Sequence, residues 1–133
     1  DSRSENEGFA RVAVAAFMTQ LNPTVEEVSD VKTAVSEAVT NAIIHGYDGK
    51  GGKILMTCQQ KGQDLTVAVQ DKGKGIADIK KARQPFYTSR PELERSGMGF
   101  AFMEAFMDDV EVISEVDVGT TIIMRKKIGA QDT

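Results

Sequence analysis

Apolar residues recur along the chain at two different periods, and the change from one to the other marks its elements. From about Glu5 to Gln20, Phe9, Val12, Ala13, Ala16 and Phe17 fall at helical spacing and predict a helix. Asn22-Pro23-Thr24 ends it and starts a second helix, with Thr24 as N-cap and Glu27 three residues on in capping-box spacing. Val28, Val31, Val35, Ala38 and Ala42 then run down this helix at steps of three and four as far as His45, where Gly46 is a stop. After a glycine-rich loop at Asp48 to Gly52 the period changes to two. Ile54–Gln60 and Asp64–Asp71 alternate as strands joined through Lys61-Gly62-Gln63. Gly73 to Ser96 holds Pro85 and Pro91 and reads as a long loop with one helical turn near Asp78 to Arg83. A short helix over Gly99–Met107 follows, then strands Val110–Val116 and Thr120–Lys126 around Asp117-Val118-Gly119, and a tail at 127–133.

Strands in antiparallel pairs, with helices between the pairs, exclude a doubly wound βαβ sheet. The expected fold is an α+β two-layer sandwich with helices on one face of a mixed, mostly antiparallel sheet. The other face is expected to be partly exposed, or covered by a partner or a second copy. The 133 residues make one domain. No apolar run approaches the roughly twenty residues of a membrane helix, and the polar N-terminus has no signal-like segment. A lone cysteine, Cys58, excludes an internal disulfide and a cysteine-cluster metal site. It alternates with Ile54 and Met56, as a small buried hydrophobe would. These features predict a cytoplasmic protein. The sequence starts at Asp1 rather than methionine, so the first residues of the gene product are expected to lie outside it.

The net charge of -4 argues against general nucleic-acid or anionic-membrane binding. Its distribution is less even than the sum. Lys72, Lys74, Lys80, Lys81, Arg83, Arg90 and Arg95 outnumber Asp78, Glu92 and Glu94, which leaves this stretch basic within an acidic chain.

Several polar residues sit where the apolar pattern makes them conspicuous. Thr33, Glu37, Asn41 and His45 form a stripe at four-residue steps beside the apolar face of the second helix. The Asn41 amide oxygen is a hard ligand suited to magnesium, and Glu37 one turn earlier can take a proton from a hydroxyl or a water. His45 by the helix end reads as a cap on the dipole. Asp71 continues the inward face of Leu65, Val67 and Val69, so its carboxylate points inward and needs donors, for which an adenine amino group is suited. Gly73 and Gly75 allow close backbone approach. Thr120 shares a face with Ile122 and Met124 and is placed to support Asp71 or the base. Gly97-Met98-Gly99 opens a helix whose free N–H groups suit phosphate, with Arg95 just ahead for the outermost one. Tyr87 to Arg90 belong to a loop able to close over it. The other five methionines read as core filler.

Glu37-x-x-x-Asn41, Asp71-x-Gly73-x-Gly75 and Gly97-x-Gly99, in that order, resemble the nucleotide-binding boxes of the GHKL superfamily, which includes gyrase and the histidine kinases. Nearly the whole chain resembles its small anti-sigma-factor serine kinases, most specifically over Ser4–Val12, Ser36–Tyr47 and Arg83–Phe100. The resemblance implies the Bergerat sandwich, ATP or ADP with Mg2+, and transfer of phosphate to a serine of a STAS-type anti-anti-sigma protein. It further implies inhibition of a sigma factor of RNA polymerase, a homodimer, and a place in sporulation rather than general stress. By position, Asn41 would hold magnesium, Glu37 would activate the attacking serine, and Arg95 would touch the terminal phosphate. Asp71 would read adenine with Thr120. Gly73, Gly75, Ile76, Thr88, Ser96, Gly97, Met98, Gly99 and Phe100 would line the nucleotide. Glu7 and Arg11 match first-helix positions used for partners. Family members usually carry a strand ahead of the Ser4–Val12 segment; if the protein lacks it, sheet completion and the dimer surface are in question. The alternative to a kinase is a nucleotide-gated module that holds sigma. A histidine-kinase fragment is disfavoured, because no separate phosphoacceptor helix is present, and a gyrase-type ATPase needs further domains.

Overall fold

The computed structural model describes residues 4–43, 52–73, 75 and 99–129, with the backbone alone at 4–7 and 99. Helix α1 spans Ser4–Met18 and runs into a single 3-10 turn at Thr19–Leu21. Helix α2 spans Val25–Asn41, and α3 spans Gly99–Phe106. The strands are β1 (Ile54–Lys61), β2 (Asp64–Asp71), β3 (Asp109–Glu115) and β4 (Gly119–Lys127). They form one sheet in the order β1-β2-β4-β3. Every pairing among the described residues is antiparallel, where the sequence pattern allowed a mixed sheet. β4 therefore enters between β2 and β3, and the second hairpin docks through its last strand.

Helix α2 is the centre of the helical layer, packed against α1, α3 and β2. Its start follows the predicted chemistry. The Thr24 hydroxyl accepts the Glu27 N–H at 3.0 Å, and the Glu27 carboxylate accepts the Thr24 N–H at 2.9 Å. That carboxylate also accepts the Gly129 N–H, at 3.1 Å, and so ties the end of the sheet to the start of α2. Gln63 adds a second tie there, donating to the carbonyls of Leu21 (3.0 Å) and Ile128 (2.7 Å). Val31, Val35, Ala38 and Ala42 are buried as the stripe predicts, and Ala34 and Val39 widen it.

The predicted first helix is present as α1, and the residues that set its spacing are not the ones it buries. Phe9 and Val12 are 72% and 65% exposed, and the buried residues are Ala10, Val14 and Met18, with Phe17 partly covered. The helix carries apolar residues on two faces. The one at steps of four, with alanine and valine at its first positions, is the one that packs inward.

On the inner face of the sheet the rows read directly from the register. Cys58, Val67, Met124 and Val110 form one row, and Met56, Val69, Ile122 and Val112 the next. Cys58 is half-buried and burial raises its thiol pKa, in keeping with a packing role. The outer face leaves Leu55 and Ile113 exposed, so it is the open side of the sandwich. No helix among the described residues is long and apolar enough to cross a membrane.

Candidate functional site

One row further along the inner face the apolar pattern stops. Register pairs Ile54 with Asp71, Asp71 with Thr120, and Thr120 with Ser114, so three polar side chains stand abreast on β2, β4 and β3. Asp71 and Thr120 are each only 4% exposed. Buried polar groups must find partners. The Asp71 carboxylate accepts the Gly73 N–H at 2.9 Å, a turn closed by its own chain two residues on. It also accepts the backbone N–H of Thr120. Burial raises the Asp71 pKa above its ordinary 3.8, and the two N–H groups offset part of that rise. A carboxylate held this way retains acceptor capacity for a further donor.

Sequence pattern foresaw Asp71 and Thr120 together but not their division of labour. The Thr120 backbone supports the carboxylate, while its hydroxyl lies 2.7 Å from the Ser114 hydroxyl. The Ser114 hydroxyl is also 3.2 Å from the Gly119 carbonyl, to which it can donate. Ser114 is a site residue the sequence reading missed. Its signal was present in the alternation of β3, where Val110, Val112 and Ser114 share a face, but only the strand order brings it to Thr120.

Two glycines let the turns close around this row. Gly75 has φ +77°, and a Cβ there would lie 2.7 Å from the Glu115 carbonyl carbon. Gly119 has φ +141°, and its Cβ would lie 2.8 Å from the Lys72 Cα. The segment after β2 is thus seated on the β3–β4 hairpin by backbone contact that any side chain would block. Gly119→Ala is expected to cost roughly 1–3 kcal/mol through overpacking. Gly62→Ala is the control. Gly62 shares a positive φ (+61°) but has nothing within 4 Å of the added methyl. Urea midpoints for the two variants check this, and equal losses would mean that the close approach at Gly119 is relaxed at no cost.

Glu37 and Asn41 lie one turn apart in the last part of α2, both half-buried. Because α2 packs against both β2 and α3, the elements carrying the three motifs are neighbours. Gly99 opens α3, and the Phe100 side chain is buried in the core, so only its backbone is available to a ligand. Arg11 is exposed on α1. Arg95, Ile76, Thr88, Ser96, Gly97, Met98 and His45 lie outside the described residues, as does the side chain of Glu7. No group of three or more His, Cys, Asp or Glu among the described residues could by itself hold a metal ion. A magnesium on Asn41 would need phosphate oxygens and waters to complete its shell, as magnesium commonly does.

Comparison with known proteins agrees with this fold. Residues 2–126 match the family described as histidine kinase-like ATPase domain. The chain is 60% identical over 126 residues to the anti-sigma F factor of Clostridium acetobutylicum, covering 95% of this chain and 88% of that one. It is 59% identical over 128 residues to the anti-sigma F factor of Clostridium perfringens, covering 96% and 91%. In structure it resembles the catalytic domain of the histidine kinase ThkA, with TM-score 0.60 and 21% identity over 76% of this chain and 68% of that one, a likeness of fold. The chain belongs to the histidine kinase-like ATPase family and, within it, to the anti-sigma F factors.

Proposed function

We propose that this protein is an ATP-dependent serine kinase that phosphorylates a STAS-type anti-anti-sigma protein and holds a sigma factor of the F type inactive. The observation that carries the reading is the buried Asp71 carboxylate, oriented by the Gly73 and Thr120 N–H groups at the edge of an otherwise apolar face. Such a group recognises a donor, and the amino group of adenine is one. Gly73 and Gly75 bring backbone to the nucleotide, joined by Gly97, Met98 and Gly99 from the second glycine turn. Ile76, Thr88, Ser96 and the backbone of Phe100 complete the lining, and Arg95 meets the terminal phosphate.

In this reading the Asn41 side-chain oxygen holds magnesium, which neutralises charge on the phosphates. Glu37, one turn earlier, accepts the proton of the acceptor serine as its oxygen bonds to the γ-phosphorus and ADP leaves. Arg11 is exposed on α1, with Glu7 one turn earlier on the same helix, and is offered to a protein partner; exposed Phe9 and Val12 lie on a different face of that helix. The homodimer of this reading comes from the family resemblance; Leu55 and Ile113, exposed on opposite edge strands of the outer sheet face, leave that face open to a second copy.

The test is γ-labelled Mg-ATP with a panel of STAS-type domains, run beside Asn41→Ala. Serine phosphate on one domain, lost with Asn41→Ala, is the expected result. ATP binding with no transfer to any acceptor would move the function to nucleotide-gated sequestration of sigma.

A further inference from the structure

The Ser114 hydroxyl lies 2.7 Å from Thr120 Oγ1 and 3.2 Å from the Gly119 carbonyl oxygen. A carbonyl only accepts, and a hydroxyl has one proton to give. When Ser114 donates to Gly119, its contact with Thr120 must be filled by the Thr120 proton. Thr120 Oγ1 is then left with lone pairs alone for anything else that approaches. Its neighbour across the β2–β4 register is the Asp71 carboxylate, also an acceptor.

From this we propose that Ser114 is a positioning residue for base selection, one that fixes the Thr120 hydroxyl so that Asp71 and Thr120 together present acceptors only. The proposal rests on the adenine-site reading above. A pair of acceptors fits a purine 6-amino group, whose hydrogens both point outward, and repels a 6-oxo group, which brings only lone pairs. Without Ser114 the Thr120 proton is released. It can turn toward a 6-oxo oxygen, or onto Asp71 and compete with the amino group. Either motion erodes the preference for adenine. The side chain of Ser114 belongs to the inner face of β3, in the same row as Asp71 and Thr120, so it acts through Thr120.

The experiment is calorimetric titration of the parent, Ser114→Ala and Ser114→Thr with ADP and with IDP, alongside thermal melts of the ligand-free proteins. The parent is expected to bind ADP and to prefer it to IDP. Ser114→Ala is expected to reduce the ADP-to-IDP affinity ratio by about fivefold, the worth of one redirected hydrogen bond, and Ser114→Thr, which restores a hydroxyl, to recover it. A uniform loss of both ligands, or an unchanged ratio in Ser114→Ala, overturns the role of Ser114 while the adenine site stands. Absence of ADP binding by the folded parent overturns the adenine site itself.

Discussion

Asp71→Asn is expected to lower affinity for ADP on the order of a hundredfold, the scale of a hydrogen bond to a charged acceptor, and to leave the ligand-free protein as stable as the parent or more so. The two effects have one cause. Burial disfavours the ionised carboxylate more than the Gly73 and Thr120 N–H groups favour it, which is why its pKa is raised. In the folded state Asp71 therefore binds its proton more tightly than in the unfolded chain. Its contribution to stability is greatest below 3.8, falls as pH rises through the interval up to its raised folded value, and is constant above that. Asparagine has no such titration. The stability advantage of Asp71→Asn should accordingly be largest near neutral pH and shrink on acidification through that interval. Ligand affinity in the parent should move the other way and weaken as the carboxylate takes up its proton. Melting curves of both proteins across a pH series, with ADP titrations at each pH, test the pair of statements. An Asp71→Asn protein that binds ADP like the parent would remove the carboxylate from base recognition. One that fails to fold would make it a structural group.

The sequence carried the local elements and the direction of individual side chains, because both depend on short-range periodicity. The capping box at Thr24 and Glu27, the apolar stripe of α2, and the inward carboxylate of Asp71 all follow from residues within a few positions of one another. What was hidden depends on pairing at a distance. Nothing local says that β4 enters beside β2; the alternation of β4 suggested Thr120 as a partner of Asp71, but only the strand order sets it opposite and brings Ser114 beyond it. The same holds for Gly119. It reads as a turn glycine, but its missing side chain makes room for the backbone of Asp71 and Lys72, far back in the chain. On α1, two apolar faces competed. The spacing of Phe9, Val12, Ala13, Ala16 and Phe17 gave the helix, while the buried face is the one through Ala10 and Val14.

Glu37→Gln is expected to slow phosphate transfer to the acceptor serine by about 10²- to 10⁴-fold, the usual contribution of a positioned base, with ADP affinity unchanged. The substitution keeps the length and hydrogen-bonding reach of a half-buried side chain in α2 and removes its basicity. It thereby separates chemistry from structure more cleanly than alanine would. Glu37 stands one turn before Asn41, which in the proposed site would meet the metal rather than the proton, so the two variants should fail differently. Asn41→Ala should lose the magnesium dependence of nucleotide affinity along with transfer, whereas Glu37→Gln should retain that dependence and lose transfer alone. Rapid-quench measurement of serine phosphate, with ADP titrations in magnesium and in EDTA, distinguishes the two. Transfer at the parental rate in Glu37→Gln would assign the proton to another group and leave Glu37 as part of the polar edge of α2. A fall in melting temperature together with the loss of transfer would give Glu37 a structural role. Transfer lost at unchanged stability, unchanged ADP affinity and unchanged affinity for the acceptor protein is the pattern expected of a base.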